Sequence, residues 1–108
     1  GDPKANGSGG PGYVVPDEFP TSDFVYQPGV VAMANRGAGT TGSQFFIVIG
    51  EDARVLGNTF SILGQVVAGQ DVLDRITAVP TGVLPGTTER SRPLESVYLE
   101  DVTIEVSP

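Results

Sequence analysis

The residues best placed to do chemistry lie between Val31 and Ile49, in the run VAMANRGAGTTGSQFFIVI. Asn35 stands at the exit of one apolar stretch and Gln44 at the entrance of the next, so two amides flank apolar walls. Side chains alternate along an extended chain, which puts Gln44 and Phe46 on one face. A shallow apolar pocket with Phe46 as its floor and amides at its rim would accept an apolar residue presented by a peptide. The same run also suits a plain strand, with Phe45 in the core, Phe46 half-buried and Gln44 exposed. The spacing leaves both arrangements open.

Composition removes several other chemistries. The 108 residues include no His and no Cys. That excludes Ser-His-Asp and Cys-His catalysis within the chain, thiolate or imidazole metal sites, and disulfides. Gly7, Gly9 and Gly12 match the spacing G-x-G-x-x-G, but no strand precedes them and Pro11 interrupts them. Gly37, Gly39 and Gly42 follow a strand, yet they lead into QFFIVI and not into a helix whose N-terminus could hold a pyrophosphate. No dinucleotide site is expected. Asp71 and Asp74 share a helix face, but two carboxylates are fewer than a calcium cage requires. No cofactor or metal is expected. Asn6-Gly7-Ser8 fits the N-glycosylation triplet, a pattern common by chance. Six basic and thirteen acidic residues give a net charge of −7, a field that repels nucleic acid and anionic membrane surfaces. No apolar run is long enough to span a bilayer. Absence of Cys suits either redox compartment, so the location is unassigned.

These residues need a scaffold, and the composition describes it. Fifteen Gly and nine Pro among 108 residues argue for a loop-rich β protein over a helical bundle. Residues 1–12 read as an irregular surface loop and Tyr13-Val14-Val15 as a short extended stub. The Pro28-Gly29 turn launches a strand over Val30–Asn35. RGAGTTGS, Arg36 to Ser43, is a small-residue loop, and Gln44–Ile49 is the strongest strand. Thr59–Val67 reads as a strand kinked at Gly64. Apolar residues at 72, 73 and 76 predict a helix over Gln70–Thr77, with Asp71 suited to its positive end. The linker from Ala78 to Glu95 has no regular pattern. Val102, Ile104 and Val106 alternate with Asp101, Thr103 and Glu105, which predicts a last strand over Tyr98–Val106. The expected class is all-β, mainly β with one short helix. About four strands cannot close a barrel, so open sheet edges are expected.

One resemblance covers nearly the whole chain. Met33-Ala34-Asn35, Gly37, and Gly42-Ser43-Gln44-Phe45-Phe46-Ile47 resemble the signature of the cyclophilin-type peptidyl-prolyl isomerases. Gly1-Asp2-Pro3, Gly9-Gly10-Pro11-Gly12-Tyr13 and Pro16-Asp17-Glu18-Phe19 resemble the GDP…GGPGY…DEF segment of the bacterial type. Leu63-Gly64-Gln65-Val66 stands where that family has F-G-x-V. The resemblance implies an eight-stranded antiparallel barrel capped by two helices. Residues 1–108 would form a single cyclophilin-like domain of which only the C-terminal two-thirds is present, a partial barrel. The family's segment before GDP, which carries its chief catalytic arginine, is not among these residues. The chain also begins at Gly1 with no targeting segment ahead of the first motif, as expected of a processed form or a piece of a longer chain.

The resemblance assigns roles residue by residue. Phe46 and Leu56 would line a proline pocket, and Asn35 would hold the preceding substrate residue, with Ala34 and Arg36 beside it. Gln44 would order the rim and orient the arginine, and Gly7 would lie along the groove. Phe60 takes a position where many members carry His, and Val55 falls near that of a Trp in some members. Ala38 and Thr41 replace the usual Pro and Asn of the 36–43 loop. The implied activity is cis/trans isomerisation of X-Pro bonds, assisting protein folding, with weak or no activity for this chain alone. The implied partners are proline-containing peptides or unfolded proteins. A cyclosporin-like ligand is a further implied partner, whose affinity Phe60 and Val55 put in question. A non-catalytic proline-peptide binding module is the alternative, and a half-barrel completed by a partner chain or by strand exchange is a third.

Overall fold

A computed structural model of the chain describes residues 1–83 and 90–106. In order come β1 (Val30–Met33), β2 (Phe45–Ile47), a 3-10 turn (Asp52–Val55), β3 (Ile62–Gln65), α1 (Gln70–Thr77), β4 (Thr81–Val83) and β5 (Arg90–Pro93). They fall into two units, Gly1–Thr77 and Ala78–Pro108.

The first unit is built on a three-stranded sheet in the order β2-β1-β3. Both pairings are antiparallel, with Ala32 opposite Phe46 on one side and Ile62 on the other. The sheet starts at a turn written in the sequence. Val30 donates its N–H to the Gln27 carbonyl at 3.1 Å, with Pro28 and Gly29 between them and Gly29 at φ +95°. Pro fixes the first central residue of such a turn, and a positive φ at the second favours Gly. Gly29 then donates to the Val48 carbonyl at 2.7 Å and accepts from Val66 N–H at 2.8 Å. One residue thus ties together the chain segments that run beside β1.

Burial follows the strand alternation. Val30 and Ala32 of β1 join Tyr26 and Val48 in the buried cluster, and Phe24, Phe46, Ala53, Leu56, Phe60 and Ile62 pack against it. The aromatic members meet edge to face: Phe24 on Tyr26 at 5.2 Å, Tyr26 on Phe60 at 6.1 Å, and Phe60 on Phe46 at 5.4 Å. That geometry sets ring edges against negatively charged faces. Phe45 points the other way and keeps 40% of its surface exposed. The arrangement with Phe45 in the core is therefore not the one adopted.

The structure corrects several expected bounds. β2 and β3 are shorter than Gln44–Ile49 and Thr59–Val67. Val31 pairs with Gly64 and Ala32 with Ile62, so Leu63 is the extra residue of a bulge beside the expected kink. Ser61 is buried, and its hydroxyl accepts the Glu18 N–H at 2.8 Å. Helix α1 has the expected bounds and carries Asp71 in its first turn. In the second unit, β4 and β5 form an antiparallel pair inside the stretch read as an irregular linker, whose residues 84–89 lie outside the described residues. The expected strand over Tyr98–Val106 does not form, and Val102, Ile104 and Val106 are 64%, 83% and 88% exposed. Alternation marks a surface fit for one-sided burial, but a strand also needs hydrogen-bonded neighbours, and among the described residues no strand pairing involves this segment.

Candidate functional site

Asn35 and Gln44 stand where β1 ends and β2 begins, and the backbone closes the gap between them. Ala34 donates its N–H to the Gln44 carbonyl at 2.9 Å. The Gln44 amide then reaches across 35 residues of sequence. Its Nε2 donates to the Gly9 carbonyl at 2.8 Å and to the Gly7 carbonyl at 3.2 Å. Arg36 Nη2 donates to the same Gly7 carbonyl at 3.1 Å. Ala34, Arg36, Gln44 and Gly7 are thus brought together by hydrogen bonds.

Asn35 takes a different anchor. Its Nδ2 donates to the Thr59 carbonyl at 2.7 Å, and its Oδ1 accepts the Gly37 N–H at 3.1 Å. Thr59 immediately precedes Phe60, whose ring lies against Phe46. The amide therefore links the loop after β1 to the aromatic wall. Leu56 and Phe46 each pack on the buried cluster, and Leu56 closes the 3-10 turn by donating its N–H to Ala53. Val55 is 89% exposed and belongs to no packed wall.

Three residues to which the sequence assigns no role organise this arrangement. The Tyr26 ring is fully buried. Its hydroxyl donates to the Phe60 carbonyl at 2.8 Å and accepts the Phe60 N–H at 3.2 Å. Phe60 is held at both backbone polar groups by one side chain. Asp2 shapes the Gly7 strip, since its carboxylate accepts the N–H groups of Lys4, Asn6 and Gly7 at 2.8, 3.0 and 2.7 Å. Partial desolvation raises its pKa, but these bonds and one from Gly9 outweigh that and hold it below the ordinary Asp value. A Cβ on Gly9 would collide with the same carboxylate. Asp17 is the third, half-buried and bonded to Gly39 and Thr41. The Asp-Pro and Asn-Gly pairs of residues 1–12 announce a turn around Asp2, whereas nothing local announces Tyr26 or Asp17 as a long-range partner.

Phe46, Phe60 and Leu56 thus pack on one buried cluster, Asn35 is tied to the carbonyl just before Phe60, and Gln44 and Arg36 share the Gly7 carbonyl. Of the arginines whose side chains are described, Arg36 is engaged with Gly7, Arg54 with Glu51 at 3.4 Å and Arg75 with Asp71 at 3.7 Å. No helix among the described residues is long and apolar enough to cross a membrane.

The chain is similar to known proteins over nearly its whole length. The profile of the family described as cyclophilin type peptidyl-prolyl cis-trans isomerase/CLD matches residues 1–104. Similar proteins include "Peptidyl-prolyl cis-trans isomerase B" of Streptomyces anulatus, 47% identical over 97% of this chain and 58% of the relative. "Probable peptidyl-prolyl cis-trans isomerase A" of Mycobacterium leprae (strain TN) is 41% identical over 96% of this chain and 54% of the relative. "Peptidyl-prolyl cis-trans isomerase-like 3" of Gallus gallus is 36% identical over the whole chain and 65% of its own length. The chain spans less than two thirds of each of these relatives.

Proposed function

We propose, from the premise that this chain belongs to the cyclophilin-type peptidyl-prolyl cis-trans isomerase family, that it carries the proline-gripping face of an X-Pro isomerase. The observation that carries the reading is the half-buried edge-to-face pair of Phe46 and Phe60, with Asn35 bonded to the Thr59 carbonyl just before Phe60 and Gln44 two residues before Phe46 in the chain. Proline-containing peptides or unfolded chains are the substrates such a face would take. An apolar wall holds the pyrrolidine ring, and Asn35 holds the backbone of the residue before it.

The chemistry asks for little else. Rotation about an X-Pro bond faces a barrier of about 20 kcal/mol from amide resonance. A catalyst must bind the twisted amide better than the planar one. In the twisted form the proline nitrogen becomes an acceptor, and a guanidinium donating toward it lowers the barrier without nucleophile, metal or proton relay. Residues 1–108 represent the C-terminal two-thirds of one such domain, a partial barrel, and the arginine that serves this role in the family is not among them. Arg36, Arg54 and Arg75 each have a partner within the chain. This pairing supports weak or no catalysis by the chain alone. It also supports a second reading, a proline-peptide binding module without the chemistry.

Titration of the chain with a short Xaa-Pro peptide, followed by nuclear magnetic resonance, tests both readings. Shifts are expected at Asn35, Gln44, Phe46 and Phe60, with exchange between cis and trans peptide barely faster than in buffer. Absence of shifts at those residues would remove the groove. Exchange as fast as that given by the curated relatives would remove the claim of weak catalysis.

A further inference from the structure

The loop from Arg36 to Ser43 joins the two amide-bearing strand ends, and its course is not one that a free chain would keep. Gly37 and Gly39 take φ +119° and +73°. Local bonds give it some shape. Thr40 Oγ1 accepts the Arg36 N–H and donates to the Gly37 carbonyl, both at 2.7 Å. These bonds are solvent-exposed and span four residues at most, so they do not fix the loop against the rest of the molecule.

Asp17 does. Its Oδ2 accepts the Gly39 N–H at 2.7 Å and its Oδ1 accepts the Thr41 hydroxyl at 2.8 Å. Thr41 is fully buried, so its hydroxyl would be costly to leave without an acceptor. Bonds to an ionised carboxylate are the strong kind. The neighbours of Asp17 extend the hold in two directions. Val15 donates to the Thr41 carbonyl at 2.8 Å, and Glu18 donates to Ser61 Oγ at 2.8 Å. Ser61 in turn accepts the Met33 N–H through its carbonyl at 2.8 Å. Residues 15–18 therefore span from the 36–43 loop to the start of β3, the two flanks between which Asn35 bonds Thr59.

We infer that Asp17 is a positioning residue of the peptide groove: by clamping Gly39 and Thr41 it sets the placement of Asn35 and Gln44 and thereby the affinity for an Xaa-Pro peptide. The inference rests on the proposed proline-binding face, but the clamp itself has a separate readout. Asp17→Asn keeps one acceptor and turns an amide donor toward either Gly39 N–H or the Thr41 hydroxyl. Thr41→Val removes the hydroxyl at nearly constant volume, and Thr41→Ser restores it.

The test uses the whole chain and reads three quantities for each variant: amide hydrogen exchange, thermal midpoint, and the dissociation constant of an Xaa-Pro peptide. Asp17→Asn is expected to speed Gly39 exchange about tenfold or more, the loss of one charge-assisted bond. Exchange of the Ala32 and Val48 amides stays as it was. Peptide affinity falls several-fold in Asp17→Asn and Thr41→Val, and Thr41→Ser keeps that of the unmodified chain. The double variant loses less than the sum of the two, as residues sharing one bond should. Unchanged Gly39 exchange in Asp17→Asn would overturn the clamp. Faster exchange with unchanged peptide affinity would overturn the positioning role. If the unmodified chain binds no peptide, the proposed function and the positioning role fail together, while Gly39 exchange still decides the clamp. Should Asp17→Asn also expose the Ala32 and Val48 amides, Thr41→Val against Thr41→Ser decides instead.

Discussion

Tyr26 occupies both polar groups of Phe60 while its ring fills the centre of the buried cluster. Removing the hydroxyl strands a part-buried N–H and carbonyl at once. Tyr26→Phe is expected to cost about 1–3 kcal/mol, read from the denaturant midpoint. A loss within error of zero would mean that water satisfies Phe60 instead. At this scale the sequence was legible where residue type and chemistry coincide. Asn35, Gln44 and Phe46 stand out by residue type and spacing, which leave pocket and plain strand both open, and the structure packs Phe46 while leaving Phe45 partly in water. Tyr26 carries no sequence signal, and Asp17 and Asp2 stand out only as motif members, without a role. Tyr26 bonds across 34 residues of sequence and Asp17 across 22 and 24, and a pairing over such a distance leaves no trace in local spacing.

Elements were legible to the extent that local rules decide them. The α1 bounds follow from periodic apolar residues within two turns, and the Pro28-Gly29 turn follows from the backbone freedom of its two residues. Gly29 must hold φ +95°, and a Cβ there would lie 2.7 Å from Gln65 Nε2, the far end of a flexible side chain. The side chain can move aside, but the backbone strain stays. Gly29→Ala is therefore expected to lower stability by about 1–2 kcal/mol, visible as a lower thermal midpoint. An unchanged midpoint would show that the turn relaxes to negative φ without loss. Strand ends were less legible. Pairing partners decide where a ladder stops, and the bulge at Leu63 exists only because β1 lies alongside. Residues 98–106 are the sharpest instance, since their alternation is that of a strand and their backbone joins no strand pair among the described residues.

For the molecule as a whole, charge and exposed apolar surface act against each other. Phe45, Ile49, Leu63, Tyr98, Leu99 and Ile104 are among the large apolar residues left at 40% exposure or more. At neutral pH a net charge of −7 keeps copies apart. That repulsion vanishes as carboxylates protonate toward the isoelectric point near 4.2. Self-association is expected to peak near that pH and to recede on either side, measured by static light scattering across a pH series. A flat profile would show that the apolar surface is too dispersed to drive association. By itself the sequence determined the mainly-β class with one short helix, the absence of His and Cys chemistry, and the membership that the comparisons bear out. Those properties are sums or short-range patterns, which the order of residues carries directly. Tertiary structure alone decided which of Phe45 and Phe46 turns inward, which carbonyls Gln44 and Arg36 share, and that an aspartate from residues 15–18 holds the loop between the two amides. Each of these depends on segments brought together across tens of residues, and burial and hydrogen-bond pairing select among them only once the chain has folded.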